Sequence, residues 1–326
     1  MPLETAEDIE MAYWVAGGHI MNKERIPVSK EPIQPGLFIT VYGPSKVGKS
    51  TATGAAGATG IFLAQGGGLL PLDKFLGLDK VEVYSPADVG EASKMVAKYG
   101  GKTPSIVVDD FSILVEQTVH QLEKKHSFGE MWRNLRSLVL GMRDAARKAT
   151  EQGTHVIFNC HESPPRTSSG KFVRGGPSLP GQLPEQFSAF SDVVARVVYD
   201  ETATPWKFVF KTTSDSQYIG GDRLSIFPDP SPMNLAEGLR ASGYDVPRPK
   251  GMEWQESAVE KISQALLNGG ANSWRDTLRE ASKPLLSKYP DAHVRWALQD
   301  SLHRFVLKRS KQNMIDALFA DDSNTW

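Results

Sequence analysis

One short segment combines the residue types that bind a phosphate group, and it reads Gly43-Pro44-Ser45-Lys46-Val47-Gly48-Lys49-Ser50. Its glycines allow main-chain N–H groups to turn inward around an anion, and a helix that starts at its end adds a partial positive charge. At this spacing Lys49 is predicted to contact the terminal phosphates, Ser50 to ligate Mg²⁺ and Thr51 to donate a further hydrogen bond. An apolar segment, residues 37–42, precedes the loop, which is the strand-to-helix position that a phosphate loop requires. We therefore predict that residues 43–51 bind a nucleoside triphosphate.

A carboxylate ends a second apolar segment, because Asp109 follows residues 105–108 directly. Parallel strands end at one edge of an α/β sheet, and ligands bind outside that edge. Asp109 is therefore predicted to hold Mg²⁺ together with Ser50. For Asp110 two interpretations stay open: a catalytic carboxylate, or the N-cap of the helix that begins near Phe111.

Composition limits the class of protein. The 326 residues include 40% hydrophobic residues and carry a formal net charge of −1, so a nucleic acid or a membrane surface can be contacted only by a local patch. Cys160 is the only cysteine of the sequence, which fits a reducing compartment. The sequence shows neither a secretory signal nor an apolar stretch of the roughly 18 residues that suggest a membrane span. These features predict a cytoplasmic protein without membrane contact.

Short apolar segments alternate with helical patterns, which predicts an α/β fold with a mostly parallel sheet. The last two strands, near 193–198 and 206–210, are predicted to form an antiparallel hairpin at the edge of the sheet. A segment rich in proline is interpreted as a linker, and three amphipathic helices are expected after it. The predicted domains are an N-terminal arm (1–35), a core (36–227), a linker (228–251), an all-α appendage (252–320) and an acidic tail (321–326).

The order of several segments resembles a known family. The phosphate loop is followed by Val107-Val108-Asp109-Asp110-Phe111-Ser112, by residues 156–162 and 179–185, and by Gly221-Asp222-Arg223. These are similar to the phage RecA-like ATPases of the RecA-paralogue class of single-strand annealing proteins, the Sak-four-like group. The resemblance covers about residues 36–227. It implies a RecA-like P-loop core, ATP and Mg²⁺ as ligands, single-stranded DNA as partner, and phage recombination or annealing in the host cytoplasm.

The sequence departs from this family at the residue expected to activate water. The family usually has an acidic stretch with a glutamate after the second strand, where this chain has Ala64-Gln65-Gly66-Gly67. Gln65 can orient a water molecule but is a very poor proton acceptor. We therefore expect hydrolysis to be slow or absent, unless Asp110 or Glu162 supplies the base. With Lys49 and Asp109, these residues form the predicted catalytic set.

The chain after residue 160 is predicted to connect the nucleotide with DNA. His161 stands where RecA-like proteins carry a sensor of the γ-phosphate, although a histidine that satisfies backbone groups at the strand end is an equal alternative. The following segment, 163–178, has no acidic residue and is interpreted as a mobile loop. Its cations can neutralise phosphates and its aromatic ring can stack on a base. The predicted DNA contacts are Arg166, Lys171, Phe172 and Arg174.

The C-terminal segment offers a second basic surface. Arg304, Lys308 and Lys311 recur at helical spacing, and this face is interpreted either as solvated or as a further DNA contact. Leu298, Leu302 and Phe305 are predicted to form the packing stripe of the same helix. The acidic tail, with its terminal tryptophan, is expected to be disordered or to dock on a partner.

Nucleotide sites of RecA-like proteins usually lie between subunits, where a neighbour donates a cation. Lys211, Arg223 and Arg196 are the candidates, and a ring or a filament is the implied homo-oligomer. The leading hypothesis is an ATP-regulated single-stranded DNA-binding recombination protein. The alternative is a nucleotide-gated loader or scaffold that binds a single-strand-binding or replication protein with little hydrolysis.

Overall fold

A computed structural model of the chain describes residues 35–57, 60–64, 82–168, 170–200, 208–248, 254–269, 274–289 and 291–320. The chain divides into two compact units, Met1–Ile33 and Gln34–Trp326, and all described residues belong to the second unit. The predicted N-terminal arm up to residue 34, Gln65 and the acidic tail therefore lie outside the described residues.

Ten strands of the described chain form one sheet, and two more form a separate hairpin. The strands are β1 (Phe38–Gly43), β2 (Ile61–Leu63), β3 (Glu82–Tyr84), β4 (Ser105–Val108), β5 (His155–Ser163), β6 (Arg166–Ser168), β7 (Lys171–Val173), β8 (Gly176–Pro177), β9 (Val193–Tyr199), β10 (Phe208–Lys211), β11 (Gly221–Asp222) and β12 (Ser231–Pro232). The main order is β12-β10-β9-β1-β5-β4-β2-β3, with β11 on β9 and β8 on β5.

The central strands are parallel and buried on both faces. β1 pairs in parallel with β5 on one side and with β9 on the other, and β5 continues in parallel to β4. All six residues of β1 are buried, as expected for a strand that helices cover on both faces. Because their carboxyl ends share one edge, the phosphate loop after β1 and the carboxylate after β4 meet there.

Helices cover both faces of the sheet. The helices are α1 (Lys49–Gly57), α2 (Val89–Tyr99), α3 (Phe111–Glu123), α4 (Phe128–Glu151), α5 (Leu183–Ser188), α6 (Leu235–Ala241), α7 (Trp254–Gly269), α8 (Trp274–Leu286) and α9 (Asp291–Ala320). Side chains of α1 and α6 share one hydrophobic core with one face of the sheet, and α2 to α5 share a second core with the other face. The α/β fold with a mostly parallel sheet and a C-terminal helical region is thus confirmed.

The predicted edge hairpin forms, but it is not the edge. β9 and β10 pair antiparallel, with Tyr199 opposite Phe208, and β10 pairs further with β12. β12 and α6 both lie inside the predicted linker, and Leu235, Leu239 and Val246 are buried in the core that contains α1. The interpretation of 228–251 as a linker is therefore wrong as far as residue 248, because its apolar residues complete the core instead of bridging two domains.

The C-terminal helices pack around a small hydrophobic core of their own and also pack against the sheet domain. Ile262, Leu266, Leu302 and Phe305 form that core, with Leu298 packed against it, as the predicted stripe requires. α9 also packs against α6 and β12. Within the described residues, no helix combines the length and the apolar character needed to cross a bilayer.

Candidate nucleotide-binding site

The phosphate loop has the backbone geometry that its glycines and its helix permit. Lys46 and Gly48 both adopt positive φ, at 65° and 89°, so successive amides turn to one side of the chain. At the start of the loop, a Cβ on Gly43 would lie 2.9 Å from Cβ of Val197 on the neighbouring strand β9. Glycine is therefore required at 43 by packing and favoured at 48 by conformation.

Lys49 lies almost completely inside this loop. Its Nζ donates hydrogen bonds to the carbonyl oxygens of Gly43 at 3.0 Å and Pro44 at 2.7 Å. Burial lowers the pKa of Lys49, and the nearby carboxylates of Asp110 and Asp109 oppose that shift. The two carbonyl contacts hold the ammonium group at the loop, and it forms no ion pair with any residue that the structure describes. This arrangement is suited to an incoming polyphosphate.

Ser50 and Asp109 meet, as their predicted shared role requires. Ser50 Oγ lies 2.9 Å from Asp109 Oδ2, and Asn159 Nδ2 donates to Asp109 Oδ1 at 2.7 Å. Asn159 Nδ2 also donates to Thr53 Oγ1 on α1 at 2.8 Å. Burial raises the pKa of Asp109, and the hydrogen bond from Asn159 opposes the rise. A carboxylate and a hydroxyl held this way are the hard oxygen donors that Mg²⁺ prefers.

Asp110 occupies the N-cap position of α3 but does not use its side chain as a cap. Its backbone is left-handed, with φ 51° and ψ 43°, and no side-chain capping hydrogen bond forms. Asp110 Oδ1 lies instead 3.5 Å from His161 Nε2. Asp110 is therefore the N-cap residue, as one of the two interpretations predicted, but its side chain makes no capping hydrogen bond. Its catalytic role stays a prediction, and the carboxylate is partly exposed at the sheet edge.

His161 connects this carboxylate with the phosphate loop. Its Nδ1 lies 3.1 Å from Ser45 Oγ, so the ring bridges Ser45 and Asp110. The main-chain N–H of His161 donates to Ser112 Oγ at 3.0 Å. The imidazole thus contacts side chains around the loop, and its role as a sensor of the γ-phosphate stays a prediction.

Glu162 faces the other side of β5 and is paired. Arg196 of β9 contacts both of its carboxylate oxygens, at 2.8 and 3.3 Å, and the guanidinium carbon lies 3.1 Å from the ring centroid of Tyr218. This ion pair engages Glu162 and commits Arg196 within its own chain. A role of Glu162 as general base stays a prediction.

The predicted mobile loop contains regular structure. β6 and β7 form a short antiparallel hairpin, and β8 returns to pair with the end of β5. Arg166, Lys171 and Arg174 are exposed, and Phe172 is 52% exposed. Phe172 lies opposite Thr167 in the register, and Arg166 and Lys171 occupy the alternate positions, so the ring and these two cations lie on opposite faces of the hairpin.

Arg304, at one end of the predicted basic face of α9, is neither solvated nor free for DNA. Arg304 is 5% exposed and contacts Glu237, Glu256 and Glu260, while Lys308 contacts Glu260 at 2.9 Å. These acids come from α6 and α7, which the sequence did not show to be neighbours. The side chain of Lys311 lies outside the described residues.

The remaining cation candidates lie at different ends of the sheet. Lys211 lines a groove with Pro44 and Val47 of the phosphate loop. Arg223 lies near the start of β9, where its main-chain N–H donates to the carbonyl oxygen of Asp192 and its side chain donates to the carbonyl of Ala189. Donation of either cation to a neighbouring subunit stays a prediction.

Two site residues were missed by the sequence interpretation: Asn159 and Thr53. Asn159 was part of a recognised segment but received no role. The available signal was its position, because a polar amide inside the apolar stretch 156–160 requires a buried partner.

The fold and the site together define a protein with a P-loop nucleotide-binding core. A family model described as "AAA domain", AAA_24, matches residues 36–224, and the chain belongs to that family. No curated protein matches the chain.

Two solved structures are similar to part of the chain. A KaiC-like protein from the hyperthermophilic archaeon Pyrococcus horikoshii has 16% sequence identity and a TM-score of 0.34, over 54% of this chain and 78% of its own. The flagellar accessory protein FlaH from Methanocaldococcus jannaschii has 11% identity and a TM-score of 0.36, over 58% of this chain and 80% of its own.

Proposed function

We propose that the protein binds ATP with Mg²⁺ at residues 43–51 and single-stranded DNA at the β6–β7 hairpin. In this proposal it acts in phage recombination or annealing, and it hydrolyses ATP slowly. The observation that carries the nucleotide part is the arrangement of Lys49, Ser50 and Asp109 around one loop. One ammonium group, one hydroxyl and one buried carboxylate meet at this loop, which supports their proposed contact with the β- and γ-phosphates and the metal.

The residues fit Mg²⁺ on an independent ground. Asn159 Oδ1 is buried without a hydrogen-bond partner among the described residues, next to the Ser50–Asp109 pair. A buried acceptor without a hydrogen bond costs free energy, and a water molecule bound to a metal ion would remove that cost by donating a hydrogen bond to it. Ser50 and Asp109 would hold the ion, which would neutralise charge on the phosphates when bound.

Slow hydrolysis is supported by the shortage of a free base. Among the described carboxylates that act on Lys49, Asp109 is buried against Ser50 and Glu162 is paired with Arg196. Asp110 is the remaining candidate, and it faces His161. We therefore assign Asp110 as the group that would accept a proton from water.

The exposed hairpin supports the DNA part of the proposal. It presents cations on one face and an aromatic ring on the other, and phosphate contact and base stacking are the two components of sequence-tolerant single-strand binding. If a single DNA strand wraps around the β6–β7 hairpin, one face of the hairpin can contact the DNA phosphates and the other face can contact a base.

The hairpin is also linked to the nucleotide site. Tyr218 stacks on Arg196, which holds Glu162 one residue after His161, and the ring of Tyr218 covers Gly175 at the base of the hairpin. The main chain of Gly175 bonds to Gln217 and Ile219 on either side of Tyr218. We propose that the bound nucleotide changes the position of the hairpin through this contact.

Partners follow from the same proposal. We propose a ring or filament of identical subunits and a contact with a single-strand-binding or replication protein. Sedimentation of the full chain with and without ATP and Mg²⁺ tests self-association.

The nucleotide proposal is tested by calorimetry with ATP and Mg²⁺. Lys49→Ala removes the ammonium group, and we expect ATP affinity to fall at least about tenfold, because a charge-assisted contact to phosphate is lost. Lys124→Ala, at an exposed position directly after α3, removes a lysine outside the loop and is the matched control. Wild-type protein that gives no heat with any purine triphosphate rules out the proposal.

The DNA proposal is tested by anisotropy of a labelled single-stranded oligonucleotide across a salt series. Arg166→Ala/Lys171→Ala should weaken binding and reduce the slope of log K against log salt by about 1.4, at about 0.7 per phosphate contact. Phe172→Ala should cost roughly 1–3 kcal/mol and leave the slope unchanged. Arg275→Ala/Lys283→Ala on α8 removes the same charge elsewhere, so an equal loss in this control contradicts a specific role for the hairpin.

A further inference from the structure

A groove of about 680 Å³ adjoins the phosphate loop on the side away from Asp109. Pro44 and Val47 of the loop form one wall, and the carboxyl end of β9 and the start of β10 form the other through Tyr199 and Phe208. Volumes of roughly 300–1,000 Å³ are typical of small-molecule sites. Tyr199 and Phe208 have no part in the phosphate and metal contacts assigned above.

The order of the strands fixes which end of a nucleotide this groove can receive. β1 lies between β9 on one side and β5, followed by β4, on the other. Asp109 follows β4 and contacts Ser50, so the metal-bound terminal phosphates face the β5–β4 side. The nucleoside end of the same molecule must then leave the loop on the β9–β10 side.

The two aromatic residues lie on the face of the sheet that carries the phosphate loop and α1. Side chains alternate along a strand, so Tyr199 shares the face of Val197, which packs at Gly43, and Phe208 shares the face of Phe210, which is in the core with α1. Tyr199 and Phe208 are direct cross-strand neighbours, with ring centroids 5.3 Å apart in an edge-to-face arrangement.

This aromatic pair is left uncovered. Tyr199 is 51% exposed and Phe208 is 37% exposed, whereas Phe210, two residues further along β10, is fully buried. An exposed aromatic ring beside two apolar side chains can stack on a planar base. A purine covers more of such a surface than a pyrimidine does.

We propose that this groove binds the base of the nucleotide, that Tyr199 and Phe208 contact it, and that the site prefers purine over pyrimidine. The inference rests on the proposed binding of a triphosphate at residues 43–51. Lys211 of the same chain also lines the groove.

Calorimetry with three ligands separates the base from the phosphates. ATP, CTP and inorganic tripolyphosphate, each with Mg²⁺, are titrated into the full chain. For the wild type we expect ATP to bind more tightly than CTP and tripolyphosphate. For Tyr199→Ala/Phe208→Ala we expect ATP affinity to fall roughly five- to 100-fold, as for a lost base–aromatic stack, with tripolyphosphate affinity unchanged.

Two further variants keep the result interpretable. Tyr199→Leu/Phe208→Leu retains apolar bulk without flat rings and should lose the preference for ATP over CTP while remaining folded. Phe190→Ala removes another exposed aromatic residue just before β9 begins and should change nothing.

The outcomes distinguish this inference from the proposed function. If the wild type binds neither ATP nor tripolyphosphate, the proposed function fails. If the wild type binds ATP and tripolyphosphate equally, or the leucine variant keeps the wild-type preference for ATP over CTP, the base site is overturned while phosphate binding stands. An equal loss of affinity for ATP and for tripolyphosphate in the leucine variant also overturns the base site.

Discussion

At the scale of single residues, the site depends on how one buried carboxylate is satisfied. Asp109 has almost no exposed surface, and it receives hydrogen bonds from Ser50 and Asn159. Burial raises the pKa of this carboxyl, and the hydrogen bonds from Asn159 and Ser50 oppose that rise. Asn159 is therefore a positioning residue for Asp109, and in the proposed function it would act on Mg²⁺ through that carboxylate.

Replacement of Asn159 is expected to weaken the metal-dependent part of nucleotide binding. Asn159→Ala removes the donor to Asp109, raises the pKa of that carboxyl further and should lower Mg²⁺ affinity roughly tenfold or more. The measurement is ATP affinity across a Mg²⁺ series, by calorimetry. Thr53→Ser, which keeps the hydroxyl beside Asn159, serves as control, and an unchanged Mg²⁺ dependence in Asn159→Ala would show that the contact to Asp109 has no such role.

The two remaining acidic residues are expected to differ in hydrolysis. Asp110→Asn should lower phosphate release at least about tenfold, because it removes the proposed base, whereas Glu162→Gln should change it by less than about threefold. Single-turnover phosphate release with saturating ATP measures both. A large loss in Glu162→Gln alone would reverse the assignment.

At the scale of elements, strand β5 has site residues at its carboxyl end and a buried histidine at its start. Its carboxyl end carries Asn159, His161 and Glu162, and its first residue, His155, accepts a hydrogen bond from the main-chain N–H of Leu37 at 3.1 Å. Burial lowers the pKa of His155 to about 4. The neutral imidazole is therefore part of the packing that fixes β5 beside β1.

Protonation of His155 should destabilise the fold in mild acid. The unfolded histidine takes up a proton near pH 6.5 and the folded one only near pH 4, so its contribution is complete above about pH 6.5 and is lost as the pH falls toward 4. The loss should be on the order of 1–3 kcal/mol. Denaturant unfolding at pH 7 and pH 4.5 measures it, with His155→Gln, which retains an acceptor for Leu37, as the comparison. An equal drop in both proteins would assign the pH dependence to other groups.

At the scale of the whole molecule, the C-terminal helices are joined to the nucleotide-binding core by buried ion pairs. Glu237 of α6 and Asp300 of α9 are fully buried; Arg304 contacts the first, and Arg248 contacts the second at 2.6 Å. α6 also packs on α1, the helix that follows the phosphate loop. These helices therefore form one folded unit with the core.

Two basic residues on α9 should differ in their contribution to stability. Arg304→Ala leaves Glu237 buried with less compensation and should reduce the free energy of unfolding by about 3–5 kcal/mol. Lys308→Ala removes an exposed partner of Glu260 and should cost at most about 1 kcal/mol. Denaturant unfolding of both variants checks this, and similar small losses would mean that the buried pair contributes no more than a surface pair.

The phosphate loop and the approximate positions of the strands followed from the sequence because each depends on neighbours within the same segment. Glycine spacing at 43 and 48 sets the local backbone, and an apolar stretch such as 105–108 forms a buried strand in any α/β sheet. The three C-terminal helices were predicted for the same reason, since their apolar periodicity is local.

Only the tertiary structure decided which side chains meet. Pairing of Glu162 with Arg196, burial of Arg304 against Glu237 and the entry of α6 into the core all join residues far apart in the chain. The strength of such a contact depends on burial and on the geometry of the charged groups, and neither property is encoded at the position itself. For this protein the sequence determined where a phosphate can be held, whereas the packing of distant segments determined which acidic residue remains free and which basic residues reach the surface.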